Sequence, residues 1–150
     1  VDTIELEDNA YDAVSILDTF FLDPEPNTTM QVISRVLKPD GLVFFEIPGL
    51  NFRLLKNTGL VARILYGNSA QLNPAMQMFY YEEKTLSALL ARHGFVLSAK
   101  FPEQSPVYGG WFLRALNRAH FRTTAALYRL TRSRIHYAAK EVLIYKKVNV

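Results

Sequence analysis

The amino-acid sequence predicts an α/β fold. Two apolar runs, Tyr11–Asp18 and Leu42–Ile47, have the pattern of buried strands, the second apolar on both alternating faces. A helix-length amphipathic segment separates them, which makes the two strands parallel and their crossover right-handed. Further on, a leucine-striped helix precedes two more alternating apolar runs.

The totals agree with a folded domain. The chain has 150 residues, 49% of them hydrophobic and 21% charged, which is enough for one core and too apolar for disorder. Cys 0 excludes a disulfide framework and thiolate metal sites, and it suits a reducing compartment. No apolar run approaches the roughly 20 residues of a membrane span, and no signal peptide is legible. Because the first residue is Val1 and the text opens on an acidic loop, the chain reads as a piece of something longer.

The elements follow in order. Tyr11–Asp18 is a short strand flanked by aspartates, followed by the turn LDPEPN. Asn27 or Thr28 caps a helix running to about Lys38, with Met30, Ile33, Val36 and Leu37 on its sheet-facing side. Lys38-Pro39-Asp40-Gly41 stops that helix, since proline cannot continue it and glycine accepts the angles of a sharp turn. After strand Leu42–Ile47 comes a helical segment, NFRLLKNTGLVARILYG, interrupted by Gly59. The next helix is clearer. Glu82 and Glu83 suit its positive end, Leu86, Leu89 and Leu90 form its stripe, Arg92 and His93 suit its negative end, and Gly94 closes it. FVLSAKF and EVLIYKKV read as the last two strands, with Val142 and Ile144 facing one way and Leu143 and Tyr145 the other. A helical insertion, about 111–134, separates them.

The segments DNAYDAVSILD, VISRVLKPDGLVFFEIPG and FYYEEKTLSALLARHGFVL, in this order and spacing, resemble the second half of class I S-adenosylmethionine-dependent methyltransferases. The likeness covers Asp2 to Lys100 and, more loosely, Glu141 to Val148. A KPDG turn alone is merely a good helix stop; the order of all the pieces makes the match specific. The resemblance implies that residues 1–150 form a single partial domain, the C-terminal half of a Rossmann-like methyltransferase sheet. Its parallel strands would be the fourth, fifth and sixth of that sheet. The last strand would insert antiparallel between the fifth and sixth. The family's glycine-rich cofactor loop is missing, since no GxGxG occurs and the only adjacent glycines, Gly109-Gly110, come late.

Site residues follow from the same resemblance. Asp18, with Thr19 and Phe20, would line the methionine end of the cofactor, although an aspartate there can equally cap the following turn. Asp2 and Thr3 would meet the adenine ring. Pro48 and Asn51 would edge the acceptor pocket, with Phe79, Tyr80 and Tyr81 at its rim unless that aromatic cluster belongs to the core. Gln77 stands where relatives often carry a histidine, and TFFLDPE replaces a common Glu-His pair. The obvious bases are therefore absent and no catalytic residue is assigned. His93, His120 and His136 are isolated, so no metal site is expected.

Between Ser105 and Lys140 there are six arginines, one lysine and no acid. At 100° per residue, Arg114, Arg118, Arg122, Arg129 and Arg132 share one sector, with Phe112, Leu116, Leu127 and Leu130 roughly opposite. Such a helix, if Thr123-Thr124 do not break it, is either a lid packed on the domain with its arginines solvated or a contact for an anionic surface. Nucleic acid fits less well, because aromatics do not interleave with the charges. The implied function is methyl transfer from S-adenosylmethionine to an O, N or C nucleophile of a small or lipid-linked acceptor. The implied setting is the cytoplasm, peripheral to a membrane if the arginines meet lipid. The alternative is a non-catalytic, decayed methyltransferase fold that docks through the basic helix.

Overall fold

A computed structural model describes residues 6–57, 77–104, 110–134 and 137–148. Its elements are β1 (Tyr11–Leu17), a 3-10 turn (Phe20–Leu22), α1 (Pro26–Val36), β2 (Leu37–Pro48), α2 (Leu50–Asn57), α3 (Glu83–Ala91), β3 (Phe95–Glu103), α4 (Trp111–Leu130) and β4 (Lys140–Lys147). The four strands lie in the order β1-β2-β4-β3. β1 and β2 are parallel, with Val14 beside Val43 and Ile16 beside Phe45. β4 runs antiparallel to both of its neighbours, β2 and β3. The last strand is thus inserted between the two before it, as the resemblance implies.

One face of the sheet carries the core. Val43, Phe45 and Ile47 of β2 meet Leu143 and Tyr145 of β4 there. Met30 and Ile33 of α1 and Leu86 and Leu90 of α3 pack onto the same cluster. The expectation that Leu42–Ile47 is covered on both sides holds for this face alone, because Leu42 and Phe44 on the other are half-buried. β1 departs further from its expected burial. Val14 and Ile16 are half-buried, while Tyr11 and Leu17 are exposed. The cause is position: among the described residues β1 is an edge strand, paired only with β2.

The start of α1 also differs from expectation. Pro26 is its first residue and Glu25 precedes it, because proline's fixed φ and missing N–H suit the opening turn. Thr28 donates to the Glu25 carboxylate at 3.2 Å rather than capping the backbone. The helix ends at Val36, before the expected stop, and β2 begins at once. The KPDG turn sits inside β2 as a bulge, since Tyr11 pairs with Leu37 and Ala13 with Leu42. Asp40, not Gly41, takes the left-handed angle, at φ 64°. Gly41 is needed for space instead: a Cβ there would lie 2.9 Å from the Lys38 carbonyl oxygen.

The α3 expectations hold. Leu86 and Leu90 are buried, Glu82 and Thr85 form a capping box, and Gly94 (φ 79°) ends the helix. β3 runs past Phe101 to Glu103, with Pro102 tolerated on an edge strand. The helix expected beyond Asn57 lies outside the described residues.

The long insertion is a single helix. Thr123 and Thr124 do not break it, because their hydroxyls donate to the Ala119 and His120 carbonyls, each at 3.0 Å. It packs on the body with its arginines exposed, as the lid reading expects, but through a face centred on Thr124 rather than through the apolar row. Thr124 is buried, and Asn117, His120, Phe121 and Tyr128 are the half-buried side chains around it. The Phe52 and His120 rings lie 4.9 Å apart, and the Tyr128 hydroxyl donates to the Lys100 carbonyl at 3.0 Å. The apolar row faces away from the body.

Candidate functional site

The carboxyl ends of β1 and β2 meet where the chain turns after each strand. Asp18 follows β1 directly in a left-handed conformation, φ 57°, which a short polar residue tolerates. Its backbone N–H donates to the Glu46 carbonyl at 3.0 Å, so the turn is tied to β2. Its Oδ2 accepts from Lys140 Nζ at 2.8 Å, and Lys140 also contacts the Glu46 carboxylate. Burial pulls the Lys140 ammonium down, but its hydrogen bonds to Asp18 and Glu46 and their charges outweigh that, and its pKa stands above the usual lysine value. Asp18 Oδ1 is buried and has no hydrogen-bond partner among the described residues; the Tyr80 hydroxyl shares that state.

Beside this pair lies a narrow recess of about 10 Å³, walled by Ile47 and Pro48 from β2, Leu50 and Arg53 from α2, Phe21, and Gln77 with Phe79, Tyr80 and Tyr81. The segment holding the last four is anchored by its backbone. The N–H groups of Met78 and Phe79 both donate to the Phe21 carbonyl, at 3.0 and 3.2 Å. Arg53 donates to the Gln77 side-chain oxygen. Burial lowers the Arg53 pKa, opposed by the Asp18 charge and by Tyr80. Burial and then the Asp23 charge push the Tyr81 phenol up to about 12. At that volume the recess is far below the roughly 300–1,000 Å³ of ordinary ligand pockets and has room for about one water as it stands.

The expected site residues distribute unevenly. Pro48, Gln77, Phe79, Tyr80 and Tyr81 come together in the recess, with Asp18 adjacent through Arg53. Thr19 is exposed. The Phe20 side chain belongs to the core, edge-on to Phe45 at 4.9 Å, and cannot line a cleft. Asn51 is exposed and lines a separate charged groove with Glu82, Lys100 and Glu141. Asp2 and Thr3 lie outside the described residues. Of the aromatic trio, Tyr81 both lines the recess and packs on Phe20 at 5.3 Å, so the rim and core readings are both partly right. Among the described residues no three His, Asp or Glu side chains gather as metal ligands.

Sequence reasoning missed Arg53, Lys140 and Glu46. Glu46 did carry a signal: one carboxylate inside an apolar strand needs a partner. Lys140 and Arg53 meet the site only through the tertiary fold.

A family profile described as a methyltransferase domain matches residues 1–45. No curated protein sequence matches the chain. Solved structures do. An S-adenosylmethionine-dependent methyltransferase from Archaeoglobus fulgidus aligns at TM-score 0.55 and 17% identity, over 95% of this chain and 62% of that one. One from Methanosarcina mazei aligns at 0.54 and 16%, over 99% and 64%. A Haloferax volcanii methyltransferase, solved with the Trm112 methyltransferase activator, aligns at 0.57 and 14%, over 99% and 59%. The chain has the fold of the class I S-adenosylmethionine-dependent methyltransferases. It spans 59–64% of the length of these three neighbours.

The methyltransferase fold places its ligand at the carboxyl ends of the strands, where Asp18 and the recess sit. The residues fit the methionine end of the cofactor. A buried carboxylate oxygen without a donor matches an ammonium group, which supplies donors and opposite charge.

Proposed function

We propose that this chain forms the acceptor side of an S-adenosylmethionine-dependent methyltransferase. The observation that supports the reading most is the unpartnered Asp18 Oδ1 at the carboxyl end of β1, in a sheet of methyltransferase order. Asp18 would hold the cofactor's amino group, with the backbone of Thr19 and Phe20 beside it and Asp2 and Thr3 toward the adenine. The cofactor supplies a methyl group already activated by its sulfonium, so no metal is required.

The recess lined by Pro48, Gln77 and Phe79–Tyr81 opens to receive the acceptor end that takes the methyl group. Arg53 and the Tyr80 hydroxyl orient it, and the aromatic walls exclude water. No histidine lines this recess, and a Tyr81 phenol held near 12 stays protonated at neutral pH. Transfer here rests on proximity and in-line alignment rather than on a strong base. That suits an O, N or C nucleophile of low pKa on a small or lipid-linked acceptor. The setting is cytoplasmic and membrane-peripheral, with the α4 arginines toward an anionic surface. The chain carries no glycine-rich loop, so this chain alone is expected to be inactive.

Calorimetric titration of S-adenosylmethionine into the full-length protein tests the reading. Saturable heat at one site is expected, and Asp18→Ala weakens binding roughly tenfold or more, as for a hydrogen bond to a charged group. Silence at millimolar cofactor overturns the assignment.

A further inference from the structure

We infer that α4 is an interfacial helix that seats this protein on an anionic bilayer, a role beyond methyl transfer that stands without it. The helix has three faces. One, centred on Thr124, is turned to the body and held by the His120–Phe52 ring contact and the Tyr128–Lys100 hydrogen bond. The other two diverge from it on either flank, each by roughly 110° on a wheel of 3.6 residues per turn. Arg114, Arg118, Arg122 and Arg129 form one flank and are exposed. Phe112, Leu116, Leu127 and Leu130 form the other, and they too are exposed, Phe112 by 63% and Leu130 by 81%. Ala115, Ala119 and Ala126 occupy the crest between them, so little bulk keeps the helix axis from a flat surface.

A row of leucine and phenylalanine left in water beside a row of arginines costs free energy unless something covers it. The charges decide what does. No acid occurs between Ser105 and Lys140. Two copies meeting through this face would bring arginines together with no carboxylate to answer them. A nucleic acid would satisfy the arginines and leave the apolar row wet. Anionic lipid answers both rows: acyl chains receive Phe112, Leu116 and Leu130, and headgroup phosphates receive the arginines, whose stems reach outward along the surface. The helix is not apolar enough to cross the bilayer, so it lies along the surface. Trp111, at its first turn and 81% exposed, is where an amphipathic ring settles at the headgroup level.

Trp111 is the only tryptophan of this chain, and the emission that Trp111→Phe removes from the protein reports α4 directly. Vesicles of phosphatidylcholine with phosphatidylglycerol should shift that emission to the blue, and lipids brominated along the chain should quench it. Pure phosphatidylcholine should do neither, and high salt should reverse the shift. Arg118→Gln with Arg122→Gln should lower the partition coefficient roughly fivefold per arginine. Phe112→Ser with Leu116→Ser should abolish the quenching. Both variants change exposed positions, and circular dichroism verifies that each remains folded. Equal binding to neutral vesicles, no shift on anionic ones, or a shift that grows with protein concentration in the absence of lipid would each overturn the proposal. None of these readouts depends on the cofactor.

Discussion

Lys140 stands between Asp18 and Glu46, so removing its charge tests how the carboxyl ends of β1 and β2 are held together. Lys140→Met keeps the stem and leaves two carboxylates facing each other. A fully buried pair broken this way costs several kcal/mol; Asp18 reaches solvent, so about 2 kcal/mol at pH 7 is expected. Urea denaturation of both proteins at pH 7 measures it. At this scale the site was half legible. Asp18, Gln77 and the aromatic trio were marked because chemistry-bearing residues stood at family positions. Phe20 was misplaced, because a phenylalanine in a turn looks the same whether it points into a cleft or into the core. Arg53 could not be found, since one basic residue on a surface-patterned helix has no local peculiarity.

Among the elements, the junction of β2 and β4 is the tightest. Gly49 donates to the Ala139 carbonyl at 2.9 Å, and a Cβ on it would fall 2.0 Å from the Ala138 carbonyl oxygen. That neighbour is backbone and cannot rotate away. Gly49→Ala should therefore destabilise by about 3 kcal/mol, the upper end of ordinary overpacking, read as a lowered thermal midpoint. Gly41 teaches the related lesson. Its turn was visible in the sequence, but the reason for the glycine was not: a Cβ would crowd the Lys38 carbonyl inside the bulge and the Asp12 carbonyl of β1. Helix α3 was legible because its acidic start, leucine stripe and closing glycine are all local, whereas its capping box emerged only in the structure. Helix α4 was legible as an amphipathic helix, yet which face it turned inward was not. Periodicity separates arginine from leucine without saying that Asn117, Thr124 and Tyr128 would take the inner side.

Across the whole molecule the class followed from the pattern of apolar runs and the strand order from the resemblance, while burial depended on neighbours no segment can name. Tyr145 shows how the core sets the limits of stability. It is buried on β4, its hydroxyl within 2.9 Å of Ser87, and burial holds its pKa up to about 12 despite that hydrogen bond; Tyr81 is held there too. In the unfolded chain both ionise near 10. Above pH 10 the unfolded state therefore sheds protons that the native state keeps, and stability declines until about pH 12. Alkaline denaturation followed by circular dichroism should show that decline, and Tyr145→Phe should make it shallower.

The strand order also dictates a sequence of events during synthesis. Of the four described strands β4 is translated last, yet it sits between β2 and β3 and supplies hydrogen bonds to both. While the ribosome still holds Lys140–Lys147, the nascent chain has two unsatisfied strand edges and a cluster of core side chains missing Leu143 and Tyr145. These four strands join only after that stretch leaves the exit tunnel, so β4 acts as a keystone between β2 and β3.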